Sequence, residues 1–214
     1  MYIKDPRFLI FRDDDIGDRA SYTEPFIRAH EKFNKYGVSH EIAVITRHIF
    51  KQKELLNYIQ KQDNINIQFH AHNHGAFDEM DERALHQDFS TGIKMLKDLF
   101  GVTPTIWYPP FNRANKTAVQ IAKDYGLTTS TEAHYLESYI RLPNYYFNPR
   151  NPYILNIHFW SDEQCQYLED ALQIYSTQIS NAIGRVADLY HLRNVPNEPV
   201  APESGSVIED IQPI

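Results

Sequence analysis

Two stretches of this chain carry side chains able to hold a metal ion or move a proton, and each follows directly on an apolar run. Arg12-Asp13-Asp14-Asp15-Ile16-Gly17 comes after Phe8 to Phe11, and His70-Ala71-His72-Asn73-His74-Gly75 comes after Ile65 to Phe69. Successive carboxylates repel one another, so at a buried strand end they require a cation or an arginine, although an isolated Asp triplet is ordinarily a solvated loop at a helix start. The histidines shift that balance. His70 and His74 have the four-residue separation that lets two imidazoles face one ion if the chain turns helically there. Two imidazoles and a carboxylate leave an open coordination position, which is the catalytic arrangement of zinc rather than the structural one. His72 is expected to point elsewhere.

Two other groups are less distinctive alone. His158 ends the apolar run Tyr153 to Ile157, where a histidine is ordinarily a hydrogen-bonded core residue. In Ile106-Trp107-Tyr108-Pro109-Pro110-Phe111-Asn112 two prolines stop a strand and fix a turn, as in many loops between a strand and a helix.

The elements that must position these residues follow from hydrophobic period. Strands are expected at Phe8 to Arg12, Val38 to Thr46, Ile65 to His70, Thr103 to Tyr108, Leu127 to Thr131 and Tyr153 to Trp160. Between them lie helices at Tyr22 to Tyr36, Lys51 to Lys61, Asp81 to Phe100 and Arg113 to Tyr125, with a last helix from Ser161 to about Gly184. Ser161 with Gln164 forms a capping-box pattern, and Gly37, Gly101 and Gly126 stand where helices would stop. Alternating strands and helices mean an α/β fold with a parallel sheet, whose active site lies at the strand C-termini, where these clusters fall. Periodicity leaves open whether the sheet closes. An eightfold barrel typically takes about 250 residues; here the units must fit before Arg185, leaving room for seven at most. From about Tyr190 the chain becomes a proline-spaced polar tail, so a single catalytic domain of residues 1–190 and a tail of 191–214 are expected.

Composition narrows the class of function. With 28 acidic residues against 21 basic ones the net charge is −7, and no basic run is present, so nucleic acid and anionic membranes are not the expected partners. A single cysteine, Cys165, makes an internal disulfide impossible, which suits a reducing cytoplasm. No apolar leader precedes the charged residues at Arg12 to Asp15, so a cleavable signal is not expected.

Taken in order over residues 7 to 160, the clusters resemble the polysaccharide deacetylase superfamily, the NodB-type carbohydrate esterases, and this chain is similar to a divergent member. The resemblance implies a distorted (β/α) barrel of about seven parallel strands. The family's Asp-Asp pair supplies a general base and then a metal ligand, which implies Asp14 and Asp15. Its His-(Ser/Thr)-x-x-His motif implies His70 and His74 as the other ligands of one divalent ion, zinc being expected from the imidazole-rich set. The Arg-x-Pro-(Tyr/Phe) motif matches Tyr108 to Phe111 and implies an oxyanion-binding N–H at Phe111, and Leu-x-x-His implies Leu155 as an acyl-pocket residue and His158 as catalytic acid.

Two positions depart from the pattern: Tyr108 stands where the family has arginine, and Ala71 where it has Ser or Thr. In the family that arginine pairs with the base. Arg12, two residues before Asp14 and so on the same side of an extended strand, is one replacement, and Arg141 is another. The same alternation puts Asp13 with Asp15. Trp107, Tyr108 and Trp160 are candidate sugar-stacking surfaces, with packing of the barrel as their alternative. The implied activity is metal-dependent removal of an acetyl group, N-acetyl on a sugar or polysaccharide foremost. Rivals are an amidohydrolase acting on a non-sugar amide, and a sugar-binding pseudoenzyme on the same barrel.

Overall fold

The computed structural model describes residues 9–147, 153–158 and 162–193. The chain divides into two compact units. Met1–Ile179 holds the sheet; Ser180–Ile214 is described as helix as far as Arg193. The strands are β1 (Leu9–Ile16), β2 (His40–Ile45), β3 (Ile65–Ala71), β4 (Ile106–Trp107), β5 (Thr128–Thr129) and β6 (Tyr153–Ile157). All pair in parallel, in the order β5-β4-β3-β2-β1-β6, and curl into an incomplete barrel. Each expected strand therefore forms, and the described residues give six strands of the barrel for which the resemblance implied about seven. Beyond β6, His134 bridges Leu155 and its N–H donates to Ile154 O, so a short extended stretch lines that open edge.

Helices α1 (Thr23–Tyr36), α2 (Thr46–Ile49), α3 (Lys53–Ile59), α4 (Glu82–Phe100), α5 (Lys116–Asp124), α6 (Leu136–Arg141), α7 (Pro143–Tyr146) and α8 (Asp162–Arg193) complete the order. Local chemistry sets their ends. Asp81 caps α4 by accepting the Ala84 N–H at 2.8 Å, Asn115 does the same for α5 from Ala118, and Gly37 and Gly101 close α1 and α4. The last helix does not stop near Gly184 but continues to Arg193, past the boundary expected at residue 190. Ser161, Trp160 and the rest of the expected tail from 194 lie outside the described residues.

Strand alternation sorts side chains into separate layers. Ile42, Val44, Phe69, Phe89 and Trp107 belong to one buried cluster, and Leu9, Phe11, Phe33, Leu155, Ile157 and Leu168 to another. A third small cluster joins Ala43, Tyr108 and Ile154. Arg12 and Glu41, both fully buried or nearly so, are linked to Tyr108 by a cation–π contact and a hydrogen bond respectively. Buried charge of this kind survives only with partners.

Candidate metal centre and active site

The end of β1 departs from regular strand geometry where the carboxylates lie. The pairing with β2 shifts between Asp13 and Ile16, and Asp15 adopts φ 63°, uncommon for a residue other than glycine. Simple alternation therefore fails at Asp15: instead of sharing Asp13's side, its carboxylate swings to the histidines. Gly17, at φ 94°, follows so close to α2 that a Cβ would lie 2.7 Å from Ile45 O, which leaves glycine as the residue that fits.

Asp15 Oδ1 lies 3.2 Å from His70 Nε2 and 3.2 Å from His74 Nε2, and the three ligand atoms fall within 4.8 Å of one another. Burial alone would raise the Asp15 pKa, but the hydrogen bonds from His70 and His74 outweigh it and hold the carboxyl below its ordinary range. The hydrogen bond with Asp15 raises His74. His70 Nδ1 sits 2.6 Å from the Tyr108 carbonyl. A carbonyl only accepts, so Nδ1 carries a proton; in the Nδ1–H tautomer of the neutral ring, Nε2 is the nitrogen that would ligate an ion in place of its hydrogen bond to Asp15. The donor set and its tautomer fit a divalent transition ion.

Asp14 faces Arg12. One guanidinium nitrogen lies 2.7 Å from Asp14 Oδ2 and 2.7 Å from Asn112 Oδ1, the other donates to Glu132 O at 3.1 Å, and the Tyr108 ring lies beneath at 4.6 Å. Asp14 Oδ1 is buried and has no hydrogen-bond partner among the described residues. Arg12 thus stands where a charge was needed. Arg141 is exposed on the last turn of α6 instead, so of the two arginines it is Arg12 that reaches Asp14.

The turn after β4 holds Phe111 and Asn112 at φ 59° and 54°. Phe111 is 59% exposed and its ring stands 4.8 Å from that of His74, at the mouth of the site. Tyr108 lies deeper than a groove residue would. It is fully buried, and its hydroxyl donates to Glu41. Burial pushes its phenol far up, with the Glu41 charge adding to the rise, so it remains neutral. Two further expectations are corrected by strand phase. Trp107, one residue from Tyr108, points the other way into the core beside Phe77 and Phe89, and Leu155 is fully buried in the cluster with Phe11; neither presents surface to a substrate. His158 follows Ile157, the last residue of β6, which pairs with Asp13, and so it lies just past the strand end on the side of the carboxylates. It is half-buried, with Nδ1 2.5 Å from the Ile157 carbonyl.

The loop between His70 and His74 has anchors outside both polar clusters. His72 turns away, its Nδ1 2.9 Å from Thr46 Oγ1. Asp88 of α4 accepts the N–H groups of His72 and Asn73. Burial raises the Asp88 pKa while those N–H groups oppose the rise. Its signal was present: Leu85, Asp88, Phe89, Gly92 and Leu96 form the buried stripe of α4, and an aspartate there needs a reason.

The polysaccharide deacetylase family model matches residues 13–130, more than half of the chain, and the chain belongs to that family. No significant relative is found among curated proteins. Similar solved structures include a family 4 carbohydrate esterase from Streptomyces lividans in complex with acetate, with 13% identity and a TM-score of 0.64 over 79% of this chain and 88% of that one. Peptidoglycan deacetylase PdaC from Bacillus subtilis matches with 14% identity and a TM-score of 0.61, over 88% and 98% of the two chains. A mutant CE4 family pseudoenzyme with restored enzymatic activity matches with 14% identity and a TM-score of 0.66 over 80% of this chain. The chain spans only 64% of that protein's length. These likenesses establish the NodB-like barrel.

Proposed function

We propose that this protein is a metal-dependent deacetylase that hydrolyses an N-acetyl group on a sugar or polysaccharide. One observation carries the reading: Asp15, His70 and His74 converge within 4.8 Å, while the adjacent Asp14 is held by Arg12 with its second oxygen buried and without a hydrogen-bond partner among the described residues. A divalent ion, zinc foremost, held by Asp15, His70 and His74 would supply Lewis acidity, acidifying water and polarising the acetyl carbonyl.

The chain's own groups account for the proton traffic. Asp14 Oδ1 accepts a proton from the attacking water, with Arg12 fixing its orientation through Oδ2. The oxyanion receives the N–H of Phe111, whose backbone is bent into the left-handed region by the double-proline turn. As the C–N bond breaks, His158 gives its proton to the leaving nitrogen, and the products are acetate and a free amine. Phe111, exposed beside His74, offers an apolar edge to the acyl methyl or the sugar ring.

The test is acetate release from N-acetylglucosamine oligomers, peptidoglycan fragments and simple acetylated amides, using zinc-loaded protein with Asp14→Asn as control. Turnover of the sugars that disappears in Asp14→Asn is expected. Preference for the simple amides would move the substrate class, and zinc binding without any release would mark a pseudoenzyme.

A further inference from the structure

Between His70 and His74 the chain must do something a strand cannot. Four residues of extended chain span about 13 Å, yet the two imidazole centroids are 5.4 Å apart and their Nε2 atoms meet the same oxygen of Asp15. The chain therefore turns sharply at residues 72 and 73, and a turn of this kind points peptide N–H groups away from any strand ladder. Buried N–H groups require acceptors.

A single carboxylate meets them. Asp88, 2% exposed on α4, accepts the His72 N–H at 2.6 Å on one oxygen and the Asn73 N–H at 2.8 Å on the other, and that second oxygen also takes Asn73 Nδ2 at 3.2 Å. From the opposite side the Arg47 N–H donates to His72 O at 3.2 Å, Arg47 Nη1 to Asn73 Oδ1 at 3.0 Å, and Thr46 holds the His72 ring. The helix reaches this depth because Gly92, one turn after Asp88, lets it lie against Phe69: a Cβ there would fall 2.3 Å from the ring and 3.4 Å from His72 Cβ. Ala71 has no hydroxyl with which to brace the loop from within.

We propose that Asp88 is a positioning residue of the metal centre: by chelating the N–H groups of His72 and Asn73 it sets the turn that brings His74 onto the ion held by Asp15 and His70. The proposal rests on the metal-site reading above and extends it to a residue 14 positions beyond the last ligand. A carboxylate suits the task because two oxygens take two diverging N–H donors at once. Asparagine has one acceptor oxygen, and alanine has none.

Zinc(II) affinity is measured for the full chain by competition with a chromophoric chelator, in wild type, Asp88→Ala, Asp88→Asn and Asp88→Glu, together with the melting temperature and amide exchange of the zinc-free proteins. Asp88→Ala is expected to weaken zinc binding about 10- to 100-fold, the range for outer partners of metal ligands, with Asp88→Asn intermediate and Asp88→Glu close to wild type. Exchange at the amides of residues 72 and 73 should rise in the same order. If Asp88→Ala does not fold, Asp88→Asn, which keeps the side chain's shape, carries the comparison. Zinc affinity within about twofold of wild type in a variant with lowered melting temperature would assign Asp88 to helix packing alone and overturn the proposal. A wild-type chain that binds no zinc rejects the metal reading instead, and equal amide protection in wild type and Asp88→Asn would then overturn the positioning role as well.

Discussion

Asp15 with His70 and His74, and Asp13 with His40 and His30, each combine one aspartate with two histidines and start two residues apart on one strand, yet they are assembled oppositely. In the first group two Nε2 atoms converge on one carboxylate oxygen, and the site stays partly open, with the His74 and Asp15 side chains 27% and 17% exposed. In the second, His40 Nε2 is 3.9 Å from Asp13, too far for a hydrogen bond, and the imidazoles face each other with Nδ1 atoms 3.1 Å apart. They are stacked among Phe26 and Phe33, the latter 4.0 Å from His40 and nearly parallel to it. Burial pushes Asp13 up and His40 down, so both favour their neutral forms. What separates a ligand set from a packing set is therefore convergence and access, and residue type decides neither.

The largest effects should come from breaking the converging group. Asp15→Asn and His74→Ala are expected to lose zinc and turnover together, read by elemental analysis and acetate release, because each removes one of the three candidate ligands. Asp14→Asn and His158→Ala should keep the metal and lose turnover by about 10²- to 10⁴-fold, the range for removing a proton-transfer group. If Asp14→Asn strips the metal while Asp13→Asn abolishes turnover, base and ligand lie one residue earlier than assigned, and the contrast between the two groups collapses.

The packed group should answer to pH instead. Burial, only partly opposed by Gln62 and Asn64, lowers His30 from 6.5 to about 4. The unfolded chain then takes up a proton that the folded chain refuses, so this contribution is complete above pH 6.5 and is lost as pH falls towards 4. The His30 shift corresponds to about 3 kcal/mol. Chemical denaturation between pH 7.5 and 4 should show stability falling in that window, and His30→Phe should flatten the fall. Parallel profiles for the two proteins would show that the stacked histidines titrate like exposed ones.

The same contrast explains what the sequence could disclose. All six strands and the long helices were legible, because apolar period reports which residues must be buried. The convergence of His70, His74 and Asp15 was legible because they lie at strand ends. Strand β1 nevertheless runs to Ile16 rather than stopping at Arg12, since the ion pair of Arg12 with Asp14 makes burial of both tolerable, and no local pattern announces a partner. Side-chain phase was legible at Arg12 and Asp14 but not at Asp15, where the positive φ breaks alternation, nor at Trp107 and Leu155, where a one-residue shift decides between core and groove. The short helices α6 and α7 span six and four residues, too few to show a period.

A moderate effect is expected where α4 meets β3. Gly92→Ala removes a helix-weakening glycine, worth up to about 1 kcal/mol in favour of the variant. The added methyl, however, meets the ring of Phe69, which is fully buried against Phe89 and has little room to yield. Overpacking of this kind costs about 1–3 kcal/mol, so the net change should be destabilising and visible as a lower urea midpoint. A stabilised variant would mean that α4 can retreat from β3, and the loop that Asp88 holds would move with it.

The smallest effect should come from Glu169, where charge meets charge at the surface rather than in a dry core. Its carboxylate lies 2.5 Å from Lys32 Nζ and 2.5 Å from Lys35 Nζ, with its own side chain 25% exposed. Hydrogen bonds from Lys32 and then Lys35 lower its pKa from 4.5 to about 2. This contribution is present above pH 4.5 and is lost as pH falls towards 2, below the window in which His30 acts. Solvent screens such pairs, so Glu169→Gln should cost at most about 1 kcal/mol, and the loss should shrink as salt is added. Because the two windows barely overlap, the pH at which stability declines identifies its source. A steep loss between pH 6.5 and 4.5 that Glu169→Gln leaves intact belongs to the buried histidines, whereas a Glu169→Gln variant that flattens this same range would transfer the acid sensitivity from the stacked pair to the surface.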